Sequence, residues 1–158
     1  MTENDRPPVV LKMWRRLSSN SAGRWLFART ICRRAPYFGT ISPRIHELAP
    51  GLCRVSMKKR RRVENHIGTV HALAMGNLCE LAAGVLMEAT TPNDMRWIPK
   101  GMQIHYLAKA PTDISAIARI EPERWTEARD IIVPVSVTDA DGNEVVRADI
   151  TMYVSPKR

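Results

Sequence analysis

The chain has 158 residues, of which 44% are hydrophobic, so it can form one domain with a sizeable core and is not a mostly disordered protein. Residues 1–62 hold 15 Lys and Arg against 3 Asp and Glu, whereas residues 63–158 hold 9 against 13. The positive charge of residues 1–62 favours binding of an anionic partner. The three cysteines lack CxxC or Cys/His metal-ligand spacing, which predicts reduced thiols, no metal and a cytoplasmic protein. No secretory signal or transmembrane segment is predicted, because the N-terminus is polar and its longest apolar run is short.

The N-terminal region is predicted to be helical. Residues 9–35 carry apolar side chains at spacings of three and four, interrupted by a polar segment at 18–23, which predicts two amphipathic helices. Residues 1–38 are therefore expected to form a helical extension. Basic amphipathic helices can lie on an anionic membrane. We favour the interpretation in which the apolar stripes pack on the rest of the domain and the arginines face water.

Two strands are predicted next, near residues 40–48 and 52–64, with a turn at 49–51 between them. The second carries five consecutive cations, Lys58-Lys59-Arg60-Arg61-Arg62. Cations on both faces of a strand keep both faces out of the core, so this end is expected to project into solvent or toward a polyanionic ligand. No nucleic acid is expected, because a basic run is a signal of low specificity and the interleaved aromatic residues of a single-strand binder are missing.

Residues 65–88 contain a loop with one glycine, followed by a helix that is apolar almost all the way round, and such a helix is buried. Between His71 and Glu88 only Asn77 and Glu80 are polar, and a spacing of three puts them on one face. Burying an unpaired carboxylate costs on the order of several kcal/mol. Glu80 is therefore predicted to be paired, protonated or facing a cleft, and a purely structural acid remains an alternative.

Small residues surround the predicted position of Glu80. The neighbours three and four residues away on the same face are Gly76, Asn77, Ala83 and Gly84. They leave room for a ligand or another backbone. The loop before the helix, with Asn65, His66 and Gly68, presents unpaired N–H groups at the helix N-terminus, where Thr69 is the predicted N-cap. That end of the helix is electrophilic.

The remaining chain predicts a sheet, with strands at roughly 96–109, 113–121, 129–139 and 144–154. Alternating apolar positions in the first, such as Ile98, Met102 and Ile104, predict one buried face. Asp141-Gly142 predicts a tight hairpin between the last two strands. The order of elements predicts a single α+β domain over 1–158, in which residues 39–155 pack a long central helix on a six-stranded antiparallel sheet.

The run Asn65-x-x-Gly68-x-x-His71-Ala72-Leu73, followed by Glu80 and Gly84, resembles the hotdog-fold thioesterases, especially the phenylacetyl-CoA and hydroxybenzoyl-CoA thioesterase branch. The resemblance implies a hotdog fold and hydrolysis of acyl-CoA or acyl carrier protein thioesters. It implies that Glu80 is the catalytic acid, that Asn65 orients water or substrate, and that the N–H of Ala72 polarises the thioester carbonyl. The chain departs from the family at Ala72 and Leu73, where two glycines are usual, and at Gly84, where some members have threonine.

The resemblance also implies where the substrate binds. Gly68, His71, Ala72 and Asn77 are expected to contact it. Because the basic run lies next to Asn65, Arg60 and Arg62 are expected to bind the phosphates of coenzyme A, which enters as part of the substrate with no further cofactor. One helix leaves both edges of a six-stranded sheet open, so a homodimer, or a tetramer built from dimers, is expected. The resemblance implies that the active site lies between subunits, with Glu80 of one chain facing Asn65 of the other.

Two alternatives stay open. His66 and Glu80 are fourteen residues apart, which also resembles the His/Glu pair of hotdog 3-hydroxyacyl thioester dehydratases, although the surrounding glycines and prolines of that motif are missing. The other alternative is a non-catalytic acyl-thioester-binding or regulatory protein. Serine hydrolase, zinc protease and nucleotide hydrolase chemistry have no supporting motif, since G-x-S-x-G, H-E-x-x-H and P-loop sequences are absent.

Overall fold

The computed structural model describes residues 7–157, so the ends of the predicted domain, 1–6 and 158, lie outside the described residues. The α-helices are α1 (Val9–Leu17), α2 (Ser21–Arg34) and α3 (Ala72–Thr90). The strands are β1 (Arg44–Ala49), β2 (Leu52–Met57), β3 (Met95–Tyr106), β4 (Ile114–Arg119), β5 (Arg129–Asp139) and β6 (Glu144–Pro156). Two 3₁₀ helices span Pro36–Ile41 and Arg61–Val63.

The N-terminal helices pack on the domain through their apolar stripes. Asn20 caps α2, because its side-chain oxygen accepts a hydrogen bond from the Gly23 N–H at 2.8 Å. Trp14 of α1 and Phe27 of α2 meet edge to face, with ring centroids 5.0 Å apart. Both rings are buried, so the extension is part of the core.

All six strands form one antiparallel sheet in the order β1-β2-β4-β5-β6-β3, and α3 packs across one face of it. In β5 the residues Ile131, Val133, Val135 and Val137 are buried and alternate with residues on the outer face, as predicted. Helix α3 is long and apolar enough to span a membrane, yet 72% of its most apolar window is buried inside the fold, which identifies it as the core helix. The predicted α+β architecture, with a long central helix on six antiparallel strands, is confirmed.

Strand β2 is shorter than predicted and ends at Met57. Its partner β4 begins at Ile114, opposite Met57, so no ladder is available beyond this pair. The N–H of Lys59 instead donates to the Asp113 carboxylate at 2.8 Å. The prediction of a strand reaching residue 64 was therefore wrong, and the five cations lie in a loop and a 3₁₀ turn.

Strand β3 forms one edge of the sheet and hydrogen-bonds only to β6. A bulge between Pro99 and Gly101 shifts its register. The predicted buried face is wrong for Ile98, which is 60% exposed, and for Met102 and Tyr106, each 47% exposed, whereas Ile104 packs partly buried against the core. Burial needs a second layer, and α3 covers this edge strand only in part.

Candidate active site

Glu80 lies near the middle of α3 and is half-buried. Its carboxylate makes no hydrogen bond or ion pair with any residue in the range 7–157. It lines a cleft of about 310 Å³, called here the Glu80 cleft, whose other lining residues are apolar or aromatic. They are Ala35, Pro36, Tyr37, Phe38, Gly84, Trp97, Pro99 and Met152. Of the three predicted situations for Glu80, the structure has the one in which the acid faces a cleft.

The wall of the Glu80 cleft is the 3₁₀ helix Pro36–Ile41, and Asn77 holds this wall against α3. The Asn77 Nδ2 group donates to the Tyr37 carbonyl at 3.3 Å and to the Thr40 hydroxyl at 3.2 Å. Asn77 is buried and does not line the cleft, and its Oδ1 atom has no hydrogen-bond partner among the described residues. In the single chain Asn77 therefore positions the wall, and its predicted contact with the substrate stays a prediction.

On the opposite side of the Glu80 cleft, Trp97 packs over Gly84. A Cβ atom at Gly84 would lie 3.3 Å from the Trp97 ring, closer than an ordinary van der Waals contact. The indole Nε1 donates to the Glu88 carboxylate at 3.0 Å, which fixes the orientation of the ring. The missing side chain at Gly84 is therefore what lets Trp97 form this side of the cleft.

The loop before α3 is closed by the Asn65 side chain. Its Oδ1 accepts from the N–H groups of Ile67 (3.1 Å) and Thr69 (3.0 Å), and its Nδ2 donates to the Thr69 hydroxyl at 2.8 Å. Gly68 has φ +74, which favours glycine, and it is exposed. A primary amide has two donor hydrogens, so one Asn65 N–H remains free for water or substrate.

Helix α3 begins at Ala72, and its N-cap is His71 rather than Thr69 as predicted. The chain stays extended as far as His71, because the Val70 N–H donates to the Ala110 carbonyl at 2.9 Å and the His71 N–H to the Val63 carbonyl at 2.8 Å. His71 Nδ1 then accepts from the Leu73 N–H at 3.1 Å. His71 thus caps α3 in the single chain, and its predicted contact with the substrate stays a prediction.

Ala72 presents the first N–H of α3, which has no carbonyl of its own helix to bond. This N–H donates to no other described residue. Ala72 lines a second cleft of about 270 Å³, called here the Ala72 cleft, together with Asn65, Ile67, Thr69, Val70, Met75 and residues 106–110. The Tyr106 hydroxyl donates to the Ala72 carbonyl at 3.2 Å, and burial raises the pKa of this phenol, with a smaller contribution from Cys79, so it stays a neutral donor.

One chain does not bring the two clefts together. Glu80 is eight residues after Ala72, which corresponds to about 12 Å along a helix. His66 is exposed and lines neither cleft. A single chain therefore presents the acid at one place and the free N–H groups of Asn65 and Ala72 at another.

Comparison with known proteins assigns this chain to a family. The model of a family described as a domain of unknown function (DUF4442) matches residues 23–154, a span that contains both clefts. The chain belongs to the DUF4442 family. No curated protein gives a significant match.

Solved structures share the DUF4442 fold. A structural-genomics protein is 43% identical, covers 94% of this chain and 98% of its own, and superposes with a TM-score of 0.82. A protein of unknown function from Pseudomonas aeruginosa, called a probable thioesterase, is 24% identical over 84% of this chain and 95% of its own, with a TM-score of 0.75. A mutant of a thioesterase enzyme from Staphylococcus aureus is 17% identical over 77% of this chain and 99% of its own, with a TM-score of 0.68. The predicted hotdog fold, in the form found in thioesterases, is confirmed.

Arg60 and Arg62 of this DUF4442 chain point to different surroundings. The Arg60 guanidinium donates to the Thr40 carbonyl at 3.0 Å and to the Ser42 hydroxyl at 2.9 Å. Arg62 is exposed in the 3₁₀ turn Arg61–Val63, and its side chain makes no hydrogen bond or ion pair with a described residue. The predicted pair of phosphate ligands is thus one fixed cation and one free one.

Two buried thiols and the absence of a metal-ligand cluster limit the alternative chemistry in residues 7–157. The three cysteines are free thiols, and burial raises the pKa of Cys79, next to Glu80, to about 12. Burial, with a smaller effect of Glu47, raises the pKa of Cys53 still further. Neither thiol is a nucleophile near neutral pH. Within the described part of the chain, no three His, Cys, Asp or Glu side chains gather as a metal site would require.

Sequence reasoning missed the aromatic walls of the Glu80 cleft, Tyr37, Phe38 and Trp97. Pro36-Tyr37-Phe38 is recognisable as a proline-led aromatic segment after a basic helix. Nothing in its spacing relates it to Glu80, 44 residues away from Pro36 along the chain. In the folded chain, the hydrogen bonds from Asn77 of α3 hold this aromatic segment close to Glu80.

Proposed function

We propose that this protein hydrolyses acyl thioesters of coenzyme A or acyl carrier protein. One observation carries the proposal: Glu80, on the central helix, is a carboxylate without a partner among residues 7–157, and it faces an otherwise apolar cleft. Such a placement is costly for folding, which favours a role of the acid in chemistry or binding. The shared fold of proteins named thioesterases supports the same reaction class.

The chemistry needs three groups, and the chain supplies candidates for all of them. Glu80 takes a proton from water while the water oxygen bonds to the thioester carbonyl carbon. The negative charge that develops on the carbonyl oxygen is stabilised by the N–H of Ala72, which is strengthened by the positive end of the α3 dipole. The C–S bond then breaks, and the thiolate leaves with the proton held by Glu80, which gives a carboxylic acid and a thiol. Asn65 orients the water or the substrate through its free N–H.

A relative supports the pairing of an amide with an acid. The Staphylococcus aureus thioesterase has been crystallised with a glutamine replaced at its position 32 and with a glutamate replaced at its position 47, fifteen residues apart. Asn65 and Glu80 are separated by the same fifteen residues. Both proteins thus place an amide and an acid at one spacing, although asparagine is one methylene shorter than glutamine.

Assembly from two chains supplies the geometry that one chain lacks. Strand β3 has an open edge and exposed apolar residues, and such edges are normally paired or covered. We propose a homodimer, alone or as the unit of a tetramer, in which Glu80 of one chain meets Asn65 and Ala72 of the other. We also propose a cytoplasmic location and coenzyme A as part of the substrate, with no separate cofactor.

Subunit mixing tests this arrangement. Glu80→Gln and Asn65→Ala chains carrying different tags would be unfolded, mixed and reassembled, and the heterodimers isolated through both tags. Each heterodimer should contain one intact site and recover up to half of the wild-type activity per dimer. Verified heterodimers without recovery would show that both residues serve one site from the same chain, or that Asn65 has another role.

The reaction itself is tested by measuring thiol release from acyl-CoAs ranging from acetyl to palmitoyl and from the matching acyl carrier protein thioesters. Turnover of at least one series should exceed the rate without protein and identify the carrier. Saturable binding without any thiol release would instead support the non-catalytic thioester-binding alternative. The dehydratase alternative predicts water loss from a 3-hydroxyacyl thioester, which requires His66 to approach Glu80.

A further inference from the structure

A concave basic site lies away from both clefts, between α2, the start of β1 and the loop after β2. We call it the basic pocket. Its volume is about 270 Å³, and four cations line it, Arg29, Arg44, Lys58 and Arg60, together with Trp25. The rest of its lining is uncharged, namely Ala28, Cys32, Gly39, Ser42 and Pro43. The sequence predicts anion binding for the basic run that contains Lys58 and Arg60, but not for Arg29 and Arg44, which the fold brings to this loop from α2 and β1.

The positive charge of the basic pocket is not neutralised by the part of the chain that the structure describes. The Arg60 guanidinium binds two neutral oxygens, and the Arg29 guanidinium lies 5.5 Å from the centre of the Trp25 ring. Arg44 and Lys58 make no side-chain hydrogen bond or ion pair with any residue in the range 7–157. Like charges this close repel one another, so their arrangement is favoured by an anion between them.

Two further observations concern the backbone next to Arg60 and the charge along β1 beside the pocket. Ser42, which binds Arg60, has φ 47, and no other non-glycine residue described has a positive φ. Such strained conformations persist only where the surroundings impose them. His46, on the neighbouring part of β1, has its pKa lowered by burial and then by the charges of Arg54, Arg24 and Arg44.

We propose that the basic pocket binds a phosphate monoester. A monoester carries close to two negative charges and three acceptor oxygens near neutral pH, which matches several convergent donors better than a diester with one charge does. The pocket is concave, so it suits a small terminal group more than an extended flat polyanion. Trp25, 62% exposed, adds an aromatic wall that a nucleotide base can contact.

The phosphate monoester has two possible sources. One is the ribose 3′-phosphate of a coenzyme A thioester, and in that form the inference rests on the proposed function. The other is the headgroup of a lipid such as phosphatidic acid. Residues 35–38 line the Glu80 cleft, and Gly39 and Ser42 line the basic pocket. One short segment of the chain therefore contributes to both sites.

The nucleotide form is tested by calorimetric titration of adenosine 3′,5′-bisphosphate and of adenosine at low salt. The bisphosphate should bind saturably, and Arg44→Gln and Lys58→Gln should each weaken it about tenfold, the scale of a hydrogen bond to a charged group. Arg16→Gln, an exposed arginine at the end of α1 outside the pocket, is the matched control and should change the affinity less than twofold. Equal weakening by the control would overturn the site, because it would reveal diffuse attraction to a basic surface.

Glu80→Gln should bind the bisphosphate as the wild type does, which separates failure of the pocket from failure of the hydrolytic proposal. The lipid form is tested by sedimenting the protein with phosphatidylcholine vesicles that contain phosphatidic acid or phosphatidylglycerol. Binding to phosphatidic acid alone, lost in Lys58→Gln, would assign the pocket to a lipid monoester. Absence of binding to both the bisphosphate and phosphatidic acid would overturn the proposal. Equal binding to both vesicles regardless of the substitution would overturn its lipid form.

Discussion

The two clefts along α3 differ in how tightly their polar groups are held. At the Ala72 cleft, Asn65 makes three side-chain hydrogen bonds within its loop, and His71 caps the helix. At the Glu80 cleft the acid makes none with a described residue, and its surroundings are apolar. The N–H donors at the start of α3 are thus held in place, whereas the Glu80 carboxylate in the middle of the helix is not held by a described residue.

This difference separates two tasks that a thioester hydrolase must perform. Charge on a carbonyl oxygen is stabilised best by donors that are already oriented, because no reorganisation is then needed during the reaction. A general base has to exchange a proton with water, and a carboxylate committed to an ion pair would do so poorly. The following substitutions test each side of the comparison separately.

Removing the acid should have the largest effect. Glu80→Gln keeps the size and helix propensity of the side chain but removes the base, so thioester hydrolysis should fall roughly a hundredfold or more. The measurement is kcat/KM for thiol release, with circular dichroism to verify the fold. Glu88→Gln is the matched control, since this exposed glutamate lies on the same helix and its amide oxygen can still accept from Trp97. Wild-type activity in Glu80→Gln would refute the role of Glu80.

Removing the Ala72 N–H should lower kcat about a hundredfold, which is at the lower end of the range for loss of one oxyanion-hole donor. Ala72→Pro deletes the N–H without breaking the helix, because proline is favoured at the first helical position. The residue before it is already suitable, since His71 has φ −68 and ψ 140. Ala72→Ser, which retains the N–H, should stay within a few fold of wild type. Comparable rates for the two variants would exclude this N–H as the donor.

Changing the amide should have a smaller effect, about tenfold in kcat, while the thioester still binds. Asn65→Ala removes both the free N–H and the bonds that close the loop. Asn65→Asp keeps an oxygen that accepts from Ile67 and Thr69 but has no N–H to offer. Similar losses in both variants would support orientation by the amide. Activity retained in Asn65→Asp alone would reduce Asn65 to a residue that shapes the loop.

The smallest effect is expected from the cations. Arg60→Gln should raise KM for an acyl-CoA about threefold at low salt, because one charged contact with phosphate is lost, and the difference should shrink as salt screens the charge. Arg62→Gln should raise KM less, since this exposed side chain is not fixed by other residues. Steady-state kinetics at two ionic strengths give the comparison. An unchanged KM in both variants would make the basic run a solvated surface.

Much of the centre of the molecule could be predicted from the sequence. An acid in the middle of an apolar helix is unusual, and this anomaly alone limits Glu80 to a few situations, of which a cleft is one. The alternation in β5 likewise predicts its buried face, because that strand is covered by α3. These features depend on the repeat of about 3.6 residues in a helix and of about two residues in a strand, which are local properties of the chain.

The errors have non-local causes. The end of β2 depends on where β4 begins, 57 residues later than Met57, and no local pattern contains that information. The N-cap of α3 moved to His71 because pairing with Val63 and Ala110 kept the preceding residues extended. The basic pocket was missed for the same reason, since α2 and β1 bring Arg29 and Arg44 to Lys58 only when the chain is folded.

The open edge of β3 has a consequence for how the protein behaves at different concentrations. With the proposed site shared between two chains, each molecule depends on meeting another, and folding stability becomes coupled to association. Specific activity per chain should then fall on dilution below the dissociation constant of the pair, and the melting temperature should rise with protein concentration. A newly synthesised chain would carry the bare edge until it finds a partner, which makes abundance itself a determinant of solubility and of catalysis.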